Sequence, residues 1–234
     1  MSSKRPRPER TGLRRLLYEN GLSLVVGVLF LASLVGHILS GRAVYNEEQR
    51  THGGHEVGLA RFLTTGEFGE TLFENWESEF LQMGAFLLLT VKLRQRGSAE
   101  SDKLDDEEGK AEDEDHPSRE RTKDSPWPVK RGGWALALYQ HSLGLAFFVL
   151  FAGSFFLHLW TGTDAVNEQR AQHGESALTV LQYFGDAQFW YQSFQNWQSE
   201  FLSVLAMVVL TIFLRERGSA ESKHVAAPHR ETGK

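Results

Sequence analysis

The chain has 234 residues, and 25 Lys and Arg against 30 Asp and Glu give it a formal net charge of -5 at pH 7. It contains no cysteine, which excludes disulfide frameworks, thiolate metal sites, iron–sulfur clusters and thiol catalysis. The mean hydropathy of -0.33 is typical of a soluble protein. The apolar residues, however, are concentrated in four blocks, and nearly all charges lie between them. This pattern predicts an all-α integral membrane protein with four transmembrane helices.

A basic N-terminal segment, 1–16, precedes the first apolar block, in which the only ionisable side chain of 21–39 is His37. A helix over about 19–40, rising about 1.5 Å per residue, nearly crosses a hydrocarbon core of about 30 Å. Because the block is apolar all round, a soluble four-helix bundle is the weaker interpretation. A cleaved signal peptide is a further alternative, but no small-residue cleavage site follows the block, and we expect an uncleaved anchor.

The second apolar block is harder to assign because it is short. The 14 residues of 80–93 reach a spanning length only if the helix is extended to about 73–94. That extension brings several polar side chains, three glutamates among them, into the helix.

From residue 17 the chain contains an internal repeat. Residues 17–101 align with 138–222 at a constant offset of 121 without a gap, and 33 of the 85 paired positions are identical. We therefore predict repeat 1 over 17–101 and repeat 2 over 131–222, with further transmembrane helices at about 134–160 and 194–215. Each repeat crosses the membrane twice, so both copies have the same orientation, and an inverted-repeat transporter is not predicted.

Both repeats carry the same features before their second helix. Apolar residues at helical spacing predict a short helix in each outer loop, lying on the membrane surface or packed as a cap over the bundle. An asparagine stands at the expected N-cap position, a role that it loses if the helix starts instead near Glu67 or Gln188, and a tryptophan suits the interfacial aromatic belt. The residues concerned are Leu59, Phe62, Leu63, Asn75 and Trp76 in repeat 1 and Leu178, Leu181, Phe184, Asn196 and Trp197 in repeat 2.

Between the repeats, 102–130 form an acidic linker that we predict to be a disordered tether, with a docking segment for a basic partner as the alternative. Residues 223–234 are predicted to be a C-terminal tail. Of the 25 basic residues, 21 lie near the termini and in the central stretch between the repeats, which places these regions in the cytoplasm. No nucleic-acid partner is predicted, because the basic N-terminus has no supporting aromatic residues or motif.

Four ionisable residues recur at membrane level and are the candidate site residues: His37, Glu79, His158 and Glu200. The two helices of a repeat are antiparallel, so His37 and Glu79 should lie at a comparable depth, as should His158 and Glu200. Because an ionisable group in hydrocarbon is costly unless it is paired or faces water, we predict proximity within each pair, directly or through water. Each pair either joins two helices as a polar contact or exchanges protons near the ordinary histidine pKa of about 6.5.

His52 and His173 also recur, each followed by glycine, and with Glu47 and Glu168 they could form a zinc site. The spacing is not a recognised ligand pattern, so we favour a loop turn that ends in glycine and predict no metal ligand. The sequence has no Walker loop, dinucleotide fingerprint, H-E-x-x-H or G-x-S-x-G motif. We therefore predict no catalytic residue, no cofactor and no enzymatic activity.

These patterns together resemble an uncharacterised family of bacterial multi-pass membrane proteins, known only as a domain of unknown function. The resemblance covers nearly the whole of the two repeats, although repeat 2 lacks the tyrosine and one glutamate of the second motif. It implies a bacterial inner-membrane location and brings no activity, catalytic residue or cofactor. The motifs that carry it are Leu17-Tyr18-Glu19-Asn20-Gly21-Leu22-Ser23, Tyr45-Asn46-Glu47-Glu48-Gln49-Arg50, Phe73-Glu74-Asn75-Trp76-Glu77-Ser78-Glu79-Phe80-Leu81-Gln82 and Pro126-Trp127-Pro128-Val129.

Three functional classes remain open at this point, each with the lipid bilayer as a partner. A structural or interaction protein of the bacterial envelope comes first, because nothing in the sequence requires chemistry. A small transporter or channel, proton-linked through the His/Glu pairs, comes second and requires a homo-oligomer, since four helices line a pore poorly. A membrane-embedded enzyme comes last, because the chain lacks a nucleophile–base set.

Overall fold

The computed structural model describes residues 11–104 and 121–233, and every regular element within them is an α-helix. The all-α class predicted from the sequence is therefore confirmed for these residues. Most of the basic N-terminal segment (1–10), the acidic centre of the linker (105–120) and residue 234 lie outside the described residues. The eight helices of the described part are α1 (Gly12–Thr51), α2 (Leu59–Phe62), α3 (Gly66–Lys92), α4 (Trp127–Arg131), α5 (Gly133–Gln140), α6 (Ser142–Gln172), α7 (Val180–Phe184) and α8 (Ala187–Phe213).

The chain divides into two compact units, Met1–Phe68 and Gly69–Lys234. The boundary between them falls in the first turn of α3 and differs from the predicted end of repeat 1 at residue 101. The first unit holds α1 and α2, and the second holds nearly all of α3 together with α4 to α8.

Three of the described helices, α1, α6 and α8, are long and apolar enough to cross a membrane. Their apolar side chains are largely exposed; in α1, for example, Leu22 is 81% and Val28 65% exposed. Apolar surface in water costs about 25 cal/mol per Å², so an exposed apolar helix surface of this extent indicates a lipid environment. α3 has a similar length but carries five glutamates between residues 67 and 79, which lower the hydropathy of its first half.

The starts of α3 and α8 correct one prediction. Both helices begin seven residues, about two turns, before the predicted starts at 73 and 194, so Asn75 and Asn196 lie inside them, and the predicted N-cap role is wrong. Asn75 instead donates from Nδ2 to the carbonyl of Thr71, 2.7 Å away and one turn back. The prediction extended each apolar block only as far as a membrane-spanning length requires, whereas the glutamates and glutamines before it are themselves good helix formers.

The residues that cap these two helices lie ten positions earlier. Thr65 Oγ1 accepts from the backbone N–H of Phe68 at 3.3 Å. Asp186 Oδ1 accepts from the backbone N–H of Gln188 at 2.8 Å. Each cap satisfies one of the N–H groups that an α-helix leaves unpaired in its first turn.

An asparagine closes the outer loop in each unit. In the first, Asn46 Oδ1 accepts from the Val57 N–H at 2.8 Å, and its Nδ2 donates to the Val57 carbonyl at 3.2 Å. In the second, Asn167 makes the same two contacts with Leu178, at 2.7 and 2.9 Å. Because a carboxamide offers both an acceptor and a donor, it holds the loop backbone against the long helix.

Short helices are present in both outer loops, as the apolar spacing predicted. Each turns one aromatic ring into its own unit: Phe62 of α2 is 1% exposed and Tyr183 of α7 is fully buried. Phe62 packs against Tyr45 and Phe68, with ring centroids 5.8 and 5.4 Å apart. This burial corresponds to the packed alternative, since a helix lying on a membrane surface would direct such rings into lipid.

The C-terminal segment, 223–233, folds against the turn that follows α3. Lys223 is 3% exposed, and its ammonium group donates to the carbonyl groups of Gly97, Pro228, His229 and Glu231. Thr232 Oγ1 accepts from the Gly97 N–H at 3.0 Å. Gly97 has a φ of 82°, a left-handed conformation that favours glycine. The residues predicted as a tail are therefore part of the second unit.

Replacing Lys223 by methionine should destabilise the second unit by about 3 kcal/mol, because buried carbonyl oxygens would lose a charged donor. Thermal unfolding of the detergent-solubilised protein measures the change. Lys103→Met is the matched control, since Lys103 is exposed and its removal strands no buried acceptor. Equal unfolding midpoints for the two variants would show that the buried ammonium group does not hold the segment.

Candidate functional site

A polar cluster lies among α3, α6, α7 and α8 of the second unit, with half of its side chains buried and the other half partly buried. α3 contributes three carboxylates, α6 a histidine, α7 a tyrosine, and α8 two amides and an indole. We call this set the carboxylate–histidine cluster. Its members are Glu70, Glu74 and Glu77, His158, Tyr183, and Gln192, Asn196 and Trp197.

The centre of the cluster is an ion-pair contact between α6 and α3. His158 Nδ1 lies 2.7 Å from Glu77 Oε2, and both side chains are fully buried. The second carboxylate oxygen of Glu77 accepts from Trp197 Nε1 at 2.9 Å. Glu77 thus has a donor on each oxygen, which is how a buried carboxylate is normally stabilised.

The other ring nitrogen of His158 is not satisfied in the same way. Nε2 is buried and has no hydrogen-bond partner among the described residues. The closest acid to it is Glu74, whose Oε2 is 4.0 Å away, too far for a hydrogen bond but within ion-pair range. Glu74 Oε1 in turn accepts from Asn196 Nδ2 at 3.0 Å. His158 therefore stands between two carboxylates, bonded to one and separated from the other by a short gap.

A third carboxylate, Glu70, extends the cluster toward the outer loop. Glu70 Oε1 lies 3.0 Å from the Tyr183 hydroxyl and 2.9 Å from Gln192 Nε2, and both groups donate to it. Burial raises the pKa of Glu70, while these two hydrogen bonds oppose the shift. Burial and the neighbouring Glu70 charge raise the pKa of Tyr183, so its hydroxyl stays protonated and remains a donor.

Glycine at two positions allows the helices to approach closely enough for these contacts. A Cβ atom on Gly162 of α6 would lie 2.8 Å from Tyr183 Cε1 and 3.1 Å from Glu70 Oε1. A Cβ atom on Gly69 of α3 would lie 2.5 Å from Thr161 Cγ2. Small residues at such positions allow two helices to approach closely, as in many membrane-protein interfaces.

Aromatic rings close one side of the cluster. The His158 ring lies on Phe189, with ring centroids 4.9 Å apart. Phe189 is fully buried and also contacts Phe155 and Trp190 edge-on, at 5.4 and 5.3 Å. The rings exclude water from His158, which strengthens its electrostatic interaction with the carboxylates.

The partner of His158 differs from the one predicted from the sequence. The structure pairs His158 with Glu77 and not with the predicted Glu200. The error lies in helix rotation, because residues two apart are about 200° apart around a helix, so Glu77 and Glu79 face opposite sides of α3. Glu79 is exposed, and it is the charged neighbour of the partly exposed Glu200.

The predicted proximity of His37 and Glu79 stays a prediction. Within the first unit, His37 is half-buried, and its ring contacts Phe68 with centroids 5.6 Å apart. Of the two predicted interface residues, Trp197 donates to Glu77, whereas Trp76 is half-buried against Phe73 with centroids 5.7 Å apart.

A sequence signal for the missed residues was available. Glu70, Glu74 and Glu77 are spaced by four and three residues, which places them on one face of a helix. Their counterparts in repeat 2 are Tyr191, Gln195 and Gln198, so the cluster lies where the copies diverge. The candidate site residues were those that are ionisable in both copies, and this criterion excluded Glu70, Glu74 and Glu77.

The recurring loop histidines have a helix-end position. His52 Nδ1 lies 3.0 Å from the Glu48 carbonyl, and His173 Nδ1 lies 2.9 Å from the Gln169 carbonyl, one turn back in each case. Gly53 follows with a φ of 77°, as expected of a turn that ends in glycine. Within residues 11–104 and 121–233, no three His, Asp or Glu side chains are arranged to hold a metal ion.

The chemistry available to the carboxylate–histidine cluster is proton exchange. Even with the imidazole protonated, three carboxylates leave a net negative charge unless at least two of them are protonated, and an uncompensated buried charge is strongly unfavourable. His158 and Glu77 have no exposed surface, so a ligand larger than a proton would have to displace packed side chains.

Residues 13–234 match the family model of a domain of unknown function, DUF6766. The chain belongs to this family. The DUF6766 match spans the residues of both predicted repeats and of the linker between them. No curated protein and no solved structure matches the chain.

Proposed function

We propose that the chain is a multi-pass protein of the bacterial inner membrane, with four transmembrane helices arranged as two repeats of the same orientation. α3 would be the fourth span, crossing with about 73–94 and leaving Glu70 outside the hydrocarbon. The equal lengths of α3 and α8, 27 residues each, and the recurring asparagine contacts support the repeat. The basic residues support cytoplasmic termini and a cytoplasmic linker.

Within this membrane protein, the carboxylate–histidine cluster would bind and release a proton, making the chain a small proton-linked transporter or channel without enzymatic activity. The observation that carries this proposal is the fully buried His158, which is hydrogen-bonded to Glu77 and faces Glu74 with an Nε2 that has no hydrogen-bond partner in the described part of the chain. A proton on Nε2 would be attracted by Glu74, and its loss would leave a neutral imidazole still bonded to Glu77. Ionisable groups at such positions in membrane proteins commonly mark proton pathways.

A structural or interaction role in the envelope is the second candidate. The close approach at Gly162 and Gly69 favours it, because helices packed this tightly form a rigid contact. In this case the same hydrogen bonds would join α3 to α6 and α8 and would bind no exchangeable proton.

Proton flux in proteoliposomes distinguishes the two candidates. The purified full-length protein is reconstituted with a trapped pH-sensitive dye, and an inward proton gradient is imposed. We expect the wild-type protein to dissipate the gradient and Glu77→Gln to reduce the rate at least tenfold, since glutamine fills the same space but carries no charge.

Glu175→Gln is the control, because Glu175 is exposed and lies in the same unit but outside the cluster, and its variant should retain the wild-type rate. Unchanged flux in Glu77→Gln would contradict the proton-linked function. Absence of flux in a well-folded wild-type protein would also contradict it and would leave the structural role.

A further inference from the structure

A basic and aromatic segment lies immediately before the first helix of repeat 2. α4 ends at Arg131, and α5 begins two residues later. Gly132 and Gly133 have φ values of 72° and 58°, so the chain turns sharply between the two short helices. The turn places Arg131 between Trp127 and Trp134, with its guanidinium carbon 5.1 and 4.9 Å from the ring centroids. We call these three residues the Trp–Arg–Trp clamp.

The clamp leaves the hydrogen-bonding edge of Arg131 available. A guanidinium group stacked on aromatic rings uses its faces, while its five N–H donors point outward in the plane. In the described ranges 11–104 and 121–233, the Arg131 guanidinium has no hydrogen-bond or ion-pair partner. The stacking holds the planar donor set in place, which favours bidentate binding of phosphate oxygens.

The surroundings of the clamp suit an anionic membrane surface. Trp127 and Trp134 are 61% and 67% exposed, and exposed indoles of this kind are stabilised at the lipid headgroup level. Between residues 121 and 134 there are four basic residues and a single acidic one. The apolar helix α6 follows shortly after, so the clamp lies close to where the chain would enter the bilayer.

We propose that the Trp–Arg–Trp clamp binds the phosphate group of an anionic phospholipid in the leaflet that faces the linker. The proposal rests on the membrane topology given under Proposed function but not on proton exchange. The two exposed indoles favour lipid over an acidic peptide as the ligand of the clamp. Binding of an acidic peptide in water would need only the positive charges of Arg131 and Lys130. Phospholipid supplies both an anionic headgroup and an interface for the rings.

Native mass spectrometry of the full-length protein tests the proposal. The protein is released from mixed micelles containing equal amounts of phosphatidylglycerol and phosphatidylcholine, and the bound lipids are counted. We expect the wild-type protein to retain phosphatidylglycerol preferentially, and Arg131→Gln to lower that preference about fivefold. Arg131→Lys should also lower it, because lysine keeps the charge but loses the planar donors and the stacking.

Arg217→Gln is the matched control, since Arg217 is an exposed arginine expected on the same side of the membrane. An equal loss in Arg131→Gln and Arg217→Gln would overturn the proposal in favour of non-specific charge attraction. Full retention in Arg131→Lys would also overturn it. So would equal displacement of lipid by inorganic phosphate, which would indicate a soluble ligand.

Failure of this proposal can be distinguished from failure of the topology. Because the chain has no cysteine, Gly53→Cys and Lys103→Cys provide single labelling sites in intact cells. Labelling of residue 53 alone by an impermeant reagent supports the proposed topology, whatever the lipid result. Labelling of both residues from the same side would overturn the topology and the lipid site together.

Discussion

Replacing Glu77 by alanine should lower the free energy of unfolding of the second unit by about 3–5 kcal/mol, the cost of removing one partner from a buried ion pair. The change leaves His158 Nδ1 and Trp197 Nε1 without their acceptors, and His158 is fully buried, so water does not readily replace the carboxylate there. Thermal or denaturant-induced unfolding of the detergent-solubilised protein measures the loss.

The internal repeat provides a matched control for this variant. Gln198 occupies the equivalent position on α8 and is exposed, so Gln198→Ala should change stability by less than about 0.5 kcal/mol. Glu77→Gln should lie between the two, since the amide still accepts one hydrogen bond. Similar stabilities for Glu77→Ala and Gln198→Ala would show that the His158–Glu77 contact contributes little.

Replacing Gly162 by alanine should destabilise the second unit by about 1–3 kcal/mol through overpacking. The added methyl group would approach Tyr183 Cε1 to 2.8 Å and the Tyr183 hydroxyl to 3.0 Å, so the ring must move away from Glu70. A displaced Tyr183 would expose its ring, and quenching of tyrosine fluorescence by a soluble agent, together with the unfolding midpoint, would detect the change.

Gly153 of the same helix is the control, because a Cβ atom there would meet nothing within 4 Å. Gly153→Ala should stabilise α6 by about 0.5–1 kcal/mol, since alanine loses less backbone entropy on helix formation. The two substitutions are chemically identical, but the surroundings of the two glycines differ. Their effects on stability should therefore have opposite signs. A stabilising Gly162→Ala would refute the close approach of α6 to α7.

The sequence predicted those features that depend on local pattern. The apolar blocks indicated the long apolar helices. Apolar residues at helical spacing, Phe62 among them in one loop and Phe184 in the other, indicated the short loop helices. Glycine after His52 indicated the turn that ends α1. In each case the information lies within a few residues, so periodicity and turn chemistry were sufficient.

The features that the sequence analysis missed depend on tertiary contacts. The partner of His158 is 81 residues away on α3, and two adjacent choices, Glu77 and Glu79, face opposite sides of that helix. Depth in the membrane was a reasonable constraint, but it does not specify rotation about the helix axis. Likewise, nothing near Lys223 in sequence indicates that its ammonium group would contact Gly97, 126 residues away.

The acids of the carboxylate–histidine cluster all precede the linker, whereas its histidine, tyrosine, amides and indole all follow it. A chain divided at the linker would give one fragment with the three acids and another with the imidazole and the hydrogen-bond donors. Each fragment would then hold polar groups without their partners, which is unfavourable in lipid. The cluster therefore forms only when the parts of the chain on both sides of the linker are present.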